Sequence, residues 1–300
     1  MSDTTPINGS QTTSQRETGK KAVIVISSHV VRGSVGNRAA VFALEALGFP
    51  VWALQTVTLP WHPGHGPSTR MVPQAAQFDA IIEDLCNAPW LSEVGAVLTG
   101  YLGDPSQASS IAKLVKAVKE KTPDALYVCD PVIGDLGGLY VPEATASAIR
   151  DILLPLSDMT TPNQYELSWL SGQNIKSNQD IIDASKALGP KTVLTTSAFA
   201  MMRNSMANLL HTDSSNILSE HRLFDTVING AGDLTAALLL ARTLSGFDHE
   251  KTLQWVTSSV FEILGQTQRH GQNELVLEQD ISSLTRPQAM VQIRKLHDKN

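Results

Sequence analysis

The sequence predicts an α/β fold in which helices flank a mostly parallel central sheet. From Lys21 onward, short apolar runs bounded by turn residues alternate with longer segments of helical periodicity. The chain has 300 residues, 42% of them hydrophobic and 17% charged. This length and composition can bury a substantial core, so we expect a single domain over 21–300.

The first half of the chain alternates strands with helices. Predicted strands lie at 22–26, 51–57, 95–101 and 125–130, and predicted helices at 37–48, 74–86 and 106–120. This regular alternation is typical of parallel βαβ units.

The second half follows the same alternation more loosely. Helices are predicted at 142–153, 163–170, 179–188, 231–244 and 251–266, a strand at 191–196, and an antiparallel pair within 206–224. The last segment, 274–281, precedes a predicted helix that begins at Pro287, and together they are expected to cover one flank.

The first 20 residues are rich in Ser, Thr, Gln and Asn and have almost no large apolar side chain. Such a segment cannot bury enough surface to offset its ordering entropy, so 1–20 is predicted to be a disordered tail. It has no apolar middle region, which argues against a signal peptide.

Composition also limits the partners. The net charge is −6 and the basic residues are scattered, so neither nucleic acid nor an anionic membrane is an expected partner, and a small molecule is. Cys86 and Cys129 lie in apolar settings, which favours reduced core residues and a cytoplasmic location. No apolar run reaches the roughly 18 residues of a membrane span.

The segment NGAGDLTAALLL, residues 229–240, predicts a helix whose start is almost free of side chains. The first N–H groups of a helix lack intrahelical partners and carry partial positive charge, so an anion can bind there. Gly230, Ala231 and Gly232 would let a phosphate approach, and Asp233 could accept a proton from an attacking hydroxyl. Alternatively, Asp233 only complements the helix dipole and the glycines only form a turn.

In open α/β sheets, ligands bind beyond the carboxyl ends of the strands. After the first predicted strand, Ser27, Ser28 and His29 could hydrogen-bond a ligand, while Gly33 and Gly36 keep the next turn close to it. Ser and Thr are also ordinary residues at helix starts, so a structural role is equally open.

The next two strand ends carry a loop and an aromatic residue. Thr56 leads into VTLPWHPGHG, residues 57–66, which could cover a pocket or could simply be a mobile surface loop. Tyr101 could pack its ring on a flat ligand or against the core.

Two further strand ends carry carboxylates. Asp130 and Asp135 could turn toward one cation, or could merely end a strand and occupy a turn. Thr161, Asn163 and Glu166 could contact metal-bound water and phosphate. Glu166, three residues after Asn163, is equally suited to cap a helix.

Five motifs, SSHVVRGSVGN, TGY, CDPVIGD, TPNQYEL and NGAGD, occur in this order at predicted strand ends. Together they resemble the pyridoxal kinase branch of the ribokinase-like superfamily, over a span from Ala22 to the C-terminal region. No Walker A sequence is present, which fits that superfamily. The resemblance implies a ribokinase-like three-layer sandwich, a homodimer, and ATP-dependent phosphorylation of the 5′-hydroxymethyl group of pyridoxal, and of pyridoxine and pyridoxamine, in vitamin B6 salvage.

The resemblance also implies roles for individual residues. Asp233 would be the catalytic base, and the amides of 230–232 would stabilise charge on the γ-phosphate. The residues implied for the acceptor pocket are Ser28, Thr56 and Tyr101. Those implied for Mg²⁺ and the ATP phosphates are Asp130, Asp135, Asn163 and Glu166. Thr161 and Thr195 would touch a monovalent cation such as K⁺, and Thr196, Phe224 and Thr226 would lie along the nucleotide.

The sequence departs from the family pattern in two loops. Leu136, within 131–140, stands where bacterial members often have Asn, in the segment that resembles a flap over ATP. The loop after Thr56 keeps His62 but has Trp61 and His65 where a polar residue and a Tyr are more usual, which would affect the preferred vitamer.

Two other functions stay open from sequence. Hydroxymethylpyrimidine kinase is the nearest enzyme alternative, because it shares the fold and the anion-binding helix. A non-catalytic vitamer-binding protein on a kinase scaffold is the alternative from another class.

Overall fold

A computed structural model describes residues 19–224 and 228–297. The predicted tail at 1–20 therefore lies outside the described residues except for Gly19 and Lys20, and Thr226 lies outside them as well. The strands are β1 (Ala22–Val30), β2 (Val51–Leu59), β3 (Val94–Thr99), β4 (Leu126–Cys129), β5 (Gly134–Asp135), β6 (Gly138–Leu139), β7 (Met159–Thr160), β8 (Thr192–Ala198), β9 (Ser205–Thr212), β10 (Ser215–Arg222) and β11 (Gln292–Leu296). The helices are α1 (Asn37–Ala46), α2 (Ala75–Cys86), α3 (Gln107–Lys121), α4 (Glu143–Ala148), α5 (Gln164–Ser171), α6 (Asn178–Leu188), α7 (Ala231–Leu244), α8 (His249–Arg269) and α9 (Ile281–Thr285).

The main sheet of the described chain has nine strands in the order β11-β10-β9-β8-β7-β4-β3-β1-β2. The six strands from β8 to β2 pair in parallel, and β9, β10 and β11 extend the sheet antiparallel. The mostly parallel sheet predicted from sequence is confirmed.

Side chains of β1 show why helices cover both faces. Val23 and Val25 pack into one core with helices α1, α7 and α8, whereas Ile24 and Ile26 pack into a second core with α2 and α3. All four are fully buried. A strand with both faces apolar needs a helical layer on each side, which produces the three-layer arrangement.

The first two strands are longer than their apolar runs predict. Parallel pairing of β1 with β2 continues past the apolar run to the pair Val30 and Leu59, with a register shift between Ser27 and His29. The expectation that Ser27, Ser28 and His29 follow the strand is therefore wrong, because continued backbone pairing keeps them within it.

The C-terminal helix predicted to begin at Pro287 is also wrong, because residues 292–296 form β11. Strand β11 pairs antiparallel with β10 and so satisfies backbone groups that would otherwise form an open sheet edge. The Arg294 guanidinium lies 3.2 Å from the fully buried Glu220 carboxylate on β10. The short helix of this region is instead α9, whose start is capped by the Asp280 carboxylate through the Ser283 N–H.

Three smaller features complete the fold. The predicted helix at 142–153 begins as α4 and continues as one π-helical turn over 149–153. Strands β5 and β6 form a hairpin within the segment 131–140, with Leu136 89% exposed at its tip. No helix in the described ranges is long and apolar enough to cross a membrane.

Candidate active site

The start of α7 is open on its outer side and tightly packed on its inner side. Gly230 precedes the helix with φ of 93°, and a Cβ at this position would lie 2.2 Å from the Ser34 carbonyl oxygen. A Cβ on Gly232 would have no atom within 4 Å. Because no side chain caps α7, the first-turn N–H groups are available to an anion.

Asp233 lies in this first turn and is half-buried. Burial raises the pKa of its carboxyl to about 6, although the backbone N–H groups of Gly36 and of Asp233 itself act in the opposite direction. A carboxyl group with a pKa close to neutrality suits general base catalysis. A small cavity of about 10 Å³, lined partly by Ser27, Asp130 and Asp233, lies between the start of α7 and the central strands.

Ser28, on β1, lies against the turn that follows this strand. Gly36 has φ of 56°, and a Cβ there would lie 2.4 Å from the Ser28 Oγ. The buried Ser27 hydroxyl oxygen accepts the Tyr101 N–H at 3.1 Å. His29 is only partly buried, and burial together with the charge of Arg38 lowers the pKa of its imidazole.

Thr56 and Tyr101 are joined to each other. Thr56 is fully buried, and its hydroxyl donates to the Tyr101 carbonyl at 2.6 Å, while its own carbonyl accepts from Gln107 Nε2 at 2.8 Å. The Tyr101 ring is half-buried, and its hydroxyl accepts from the Arg70 guanidinium at 3.3 Å. The Thr56 side chain therefore positions Tyr101.

Three carboxylates from different elements lie close enough to influence one another. Asp130 is buried and accepts the Thr161 hydroxyl at 2.7 Å, and its own N–H donates to the Thr99 carbonyl at 2.8 Å. Burial, together with the negative charges of Glu166 and Asp233, raises the pKa of Asp130 well above its usual range. The carboxyl end of β4 and the starts of α5 and α7 thus bring acid groups to one corner.

Glu166 both caps α5 and contacts the β5–β6 hairpin. One carboxylate oxygen accepts the Asn163 N–H at 2.8 Å, and the other accepts the N–H groups of Ile133 at 3.0 Å and Gly134 at 3.4 Å. Burial raises its pKa to about 7, and the charge of the exposed Asp135 acts in the same direction. The capping role expected from sequence is therefore present alongside the acid cluster.

This acid cluster has the chemistry of a cation site that is completed by a ligand. Within 19–224 and 228–297, no Lys, Arg or His forms an ion pair with Asp130 or Glu166. In the same ranges, no three His, Cys, Asp or Glu side chains are grouped so as to hold a metal by themselves. Mg²⁺ characteristically binds one or two carboxylates together with phosphate oxygens and water, so this donor set fits it.

Thr195 and Thr196 lie on β8 and Phe224 follows β10, whereas Thr226 lies outside the described residues. Thr195 is fully buried, and its hydroxyl has no hydrogen-bond partner in the described part of the chain. Thr196 forms a parallel bridge with Asn163, which places these two residues side by side. Phe224 packs with its ring centre 5.1 Å from that of Phe261 on α8.

One residue near the site was missed from sequence. Glu274 contacts His65 in the loop after β2 at 2.6 Å and forms a backbone bridge with Asn229, immediately before Gly230. Glu274 follows helix α8 rather than a strand, so the residues after predicted strands do not include it.

Comparison with known proteins identifies clear relatives. The family model described as phosphomethylpyrimidine kinase matches residues 65–277. Pyridoxal kinase PdxY of Rubrobacter xylanophilus is 36% identical over 91% of this chain and 97% of its own, and that of Granulibacter bethesdensis is 35% identical over 85% and 92%. The structure of pyridoxal kinase from Leishmania donovani in complex with ADP and pyridoxamine has a TM-score of 0.85 and 30% identity, covering 92% of this chain and 100% of that one.

Proposed function

The chain belongs to the pyridoxal kinase family, and from this premise we propose how its residues carry out the reaction. The activity is ATP-dependent phosphorylation of pyridoxal at its 5′-hydroxymethyl group. The observation that carries the assignment of residues is the start of α7, where accessible amides adjoin a carboxyl group with a pKa of about 6.

In the proposed mechanism, Asp233 takes the proton of the hydroxymethyl group while the hydroxymethyl oxygen attacks the γ-phosphorus. The bond between the γ-phosphorus and the β–γ bridging oxygen breaks, and ADP leaves. The amides of Gly230, Ala231 and Gly232 hold the oxygens of the migrating phosphoryl group. Positioning and electrostatics would supply most of the acceleration, and the base roughly a hundredfold to ten-thousandfold.

We propose that Asp130 and Glu166 hold Mg²⁺ together with the ATP phosphates, with Asp135 and Thr161 nearby. The repulsion between these carboxylates supports this, because a bound cation relieves it. The ion would neutralise charge on the phosphates. The unpartnered Thr195 hydroxyl, with Thr161, supports a monovalent cation such as K⁺.

For the substrates, we propose that Ser28 hydrogen-bonds the pyridine substituents and that Tyr101, positioned by Thr56, lines the same pocket. Asn163 would contact the ATP phosphates, and Thr196 and Phe224 would lie along the nucleotide. Solved structures of the Leishmania donovani pyridoxal kinase with pyridoxamine and with pyridoxine support those vitamers as further acceptors. We also expect a homodimer and a cytoplasmic location.

A coupled assay of ADP release tests this function. Pyridoxal, pyridoxine, pyridoxamine and hydroxymethylpyrimidine would each be offered with ATP and Mg²⁺, beside a reaction without acceptor. We expect release that depends on pyridoxal and exceeds release with the pyrimidine. The pyrimidine is included because the matching family model bears the phosphomethylpyrimidine kinase description. Faster ADP release with hydroxymethylpyrimidine than with pyridoxal would contradict the proposal. So would ADP release at the same rate with and without an acceptor.

A further inference from the structure

Glu274 joins three separate segments of the chain. Its carboxylate contacts the His65 Nε2 at 2.6 Å in the loop after β2 and lies 3.5 Å from the Arg32 guanidinium in the loop after β1. The side chains of Glu274 and His65 are only 9% and 19% exposed, whereas that of Arg32 is 61% exposed. The contact between His65 and Glu274 is therefore the buried one, whereas the Arg32 side chain lies mostly in solvent.

The Glu274 carboxylate lies where a side chain at Gly33 would otherwise be. Gly33 has φ of 107°, and a Cβ there would lie 2.3 Å from a Glu274 carboxylate oxygen. The carboxylate therefore packs directly on the Gly33 backbone. A side chain at Gly33 would not fit this arrangement.

The same contact places the loop after β2 beside the start of α7. The backbone of Glu274 bridges to Asn229, which immediately precedes Gly230. On the other side, a Cβ on Gly64 would lie 3.7 Å from the Asn229 Nδ2. Residues 60–66 are thus held against the residue that leads into the anion-binding amides.

We propose that Glu274 is a positioning residue that clamps His65, so that loop 60–66 closes the acceptor side of the site. The clamp holds the loop in the ordered form before the vitamer binds, and it keeps water away from the γ-phosphate. This proposal rests on the function proposed above, because it takes the start of α7 as the place of transfer.

The test compares His65→Ala, Glu274→Ala, Glu274→Gln and the double alanine variant. Because the contact is largely buried, we expect the KM for pyridoxal to rise about tenfold or more in either alanine variant. The KM for ATP should stay within about twofold of the parent value. The ratio of ADP released to vitamer phosphorylated should rise above that of the parent, because water reaches the open site.

The double variant identifies the pair as a unit. If His65 and Glu274 act through each other, the double alanine variant should have the same KM for pyridoxal as either single variant. Glu83→Gln is the matched control, because it removes the exposed ion pair with Lys113 between α2 and α3. It should leave both the KM values and the ratio unchanged.

An unchanged KM for pyridoxal and an unchanged ratio in folded variants would overturn the clamp, as would effects that simply add in the double variant. Glu274→Gln keeps the size of the side chain and its acceptor oxygen. If Glu274→Ala does not fold, Glu274→Gln is therefore the variant to measure. Pyridoxal binding with a non-hydrolysable ATP analogue separates the two proposals. Weaker binding in the variants supports the clamp even if the parent transfers no phosphate, in which case only the proposed function fails.

Discussion

At the scale of single residues, the suitability of Asp233 as a base comes from its surroundings. An ordinary Asp carboxyl is too weak a base near neutral pH, but half-burial in the first turn of α7 raises the pKa of Asp233 to about 6. The sequence could place Asp233 beside the amides, because helix starts are local. It could not indicate the pKa, which depends on packing against residues from β1 and β3.

Replacing Asp233 with Asn tests the proposed base. The side chain keeps its shape, so we expect an unchanged fold and unchanged ligand binding, with turnover lower by roughly a hundredfold to ten-thousandfold. Coupled ADP release measures turnover, and circular dichroism checks the fold. Asp213→Asn, in the exposed turn between β9 and β10, is the matched control and should keep the parent rate. A rate close to that of the parent for Asp233→Asn would show that another group takes the proton.

At the scale of elements, most helices and parallel strands followed from local patterns. The sequence failed where an element depends on its partner. Strand β11 exists because β10 presents an open edge, and the backbone pairing of β1 with β2 extends past the apolar run that marked its expected end. A local pattern reflects only the side chains of its own segment, whereas strand formation depends on the neighbouring strand.

Alanine substitutions of the two glycines at the start of α7 should change the free energy of unfolding differently. Gly230→Ala forces a side chain into a left-handed backbone and against the Ser34 carbonyl, so we expect a loss of about 1–3 kcal/mol. Gly232→Ala meets no atom within 4 Å and adds a helix former, so we expect stability to hold or to rise by about 0.4–1 kcal/mol. Chemical denaturation of the two variants measures both changes.

Activity separates the same two variants further. The methyl group of Gly232→Ala lies beside the proposed phosphate position, so turnover should fall although the fold is intact. A stable, fully active Gly232→Ala variant would argue against phosphate contact at this amide. Equal destabilisation by both substitutions would contradict the packing described for Gly230.

At the scale of the whole molecule, the sheet order brings distant segments together. Strands β3 and β4 are neighbours, and the carboxyl end of β4 converges with the starts of α5 and α7, although Asp130, Glu166 and Asp233 are far apart in sequence. This convergence concentrates negative charge in a buried place. The cluster of charges lowers the free energy of unfolding, and a bound cation or nucleotide would offset that loss.

The acid cluster predicts a pH dependence of stability. Folding raises the pKa of Glu166 from 4.5 to about 7 and that of Asp233 from 3.8 to about 6. Across this window the folded protein holds protons that the unfolded chain has released, so the free energy of unfolding falls as pH rises. For Glu166 the loss is up to roughly 3 kcal/mol.

Thermal melts of the protein in EDTA at pH 5 and pH 7.5 check this prediction. The Tm should be lower at pH 7.5, and Mg²⁺ with ADP should raise it more at pH 7.5 than at pH 5. Glu166→Gln should flatten the dependence, whatever its own Tm. A slope between pH 5 and pH 7.5 that Glu166→Gln leaves unchanged would contradict the raised pKa of Glu166.

By itself, the sequence determined the α/β class, most elements and the family, because helix periodicity, strand runs and the motifs at strand ends are all properties of short segments. Only the tertiary structure decided which groups meet. The contact of His65 with Glu274, the mutual influence of Asp130 and Glu166, and the pairing of β11 with β10 all join segments far apart in the chain. Such contacts arise when the whole chain buries its apolar surface, so no local pattern carries them.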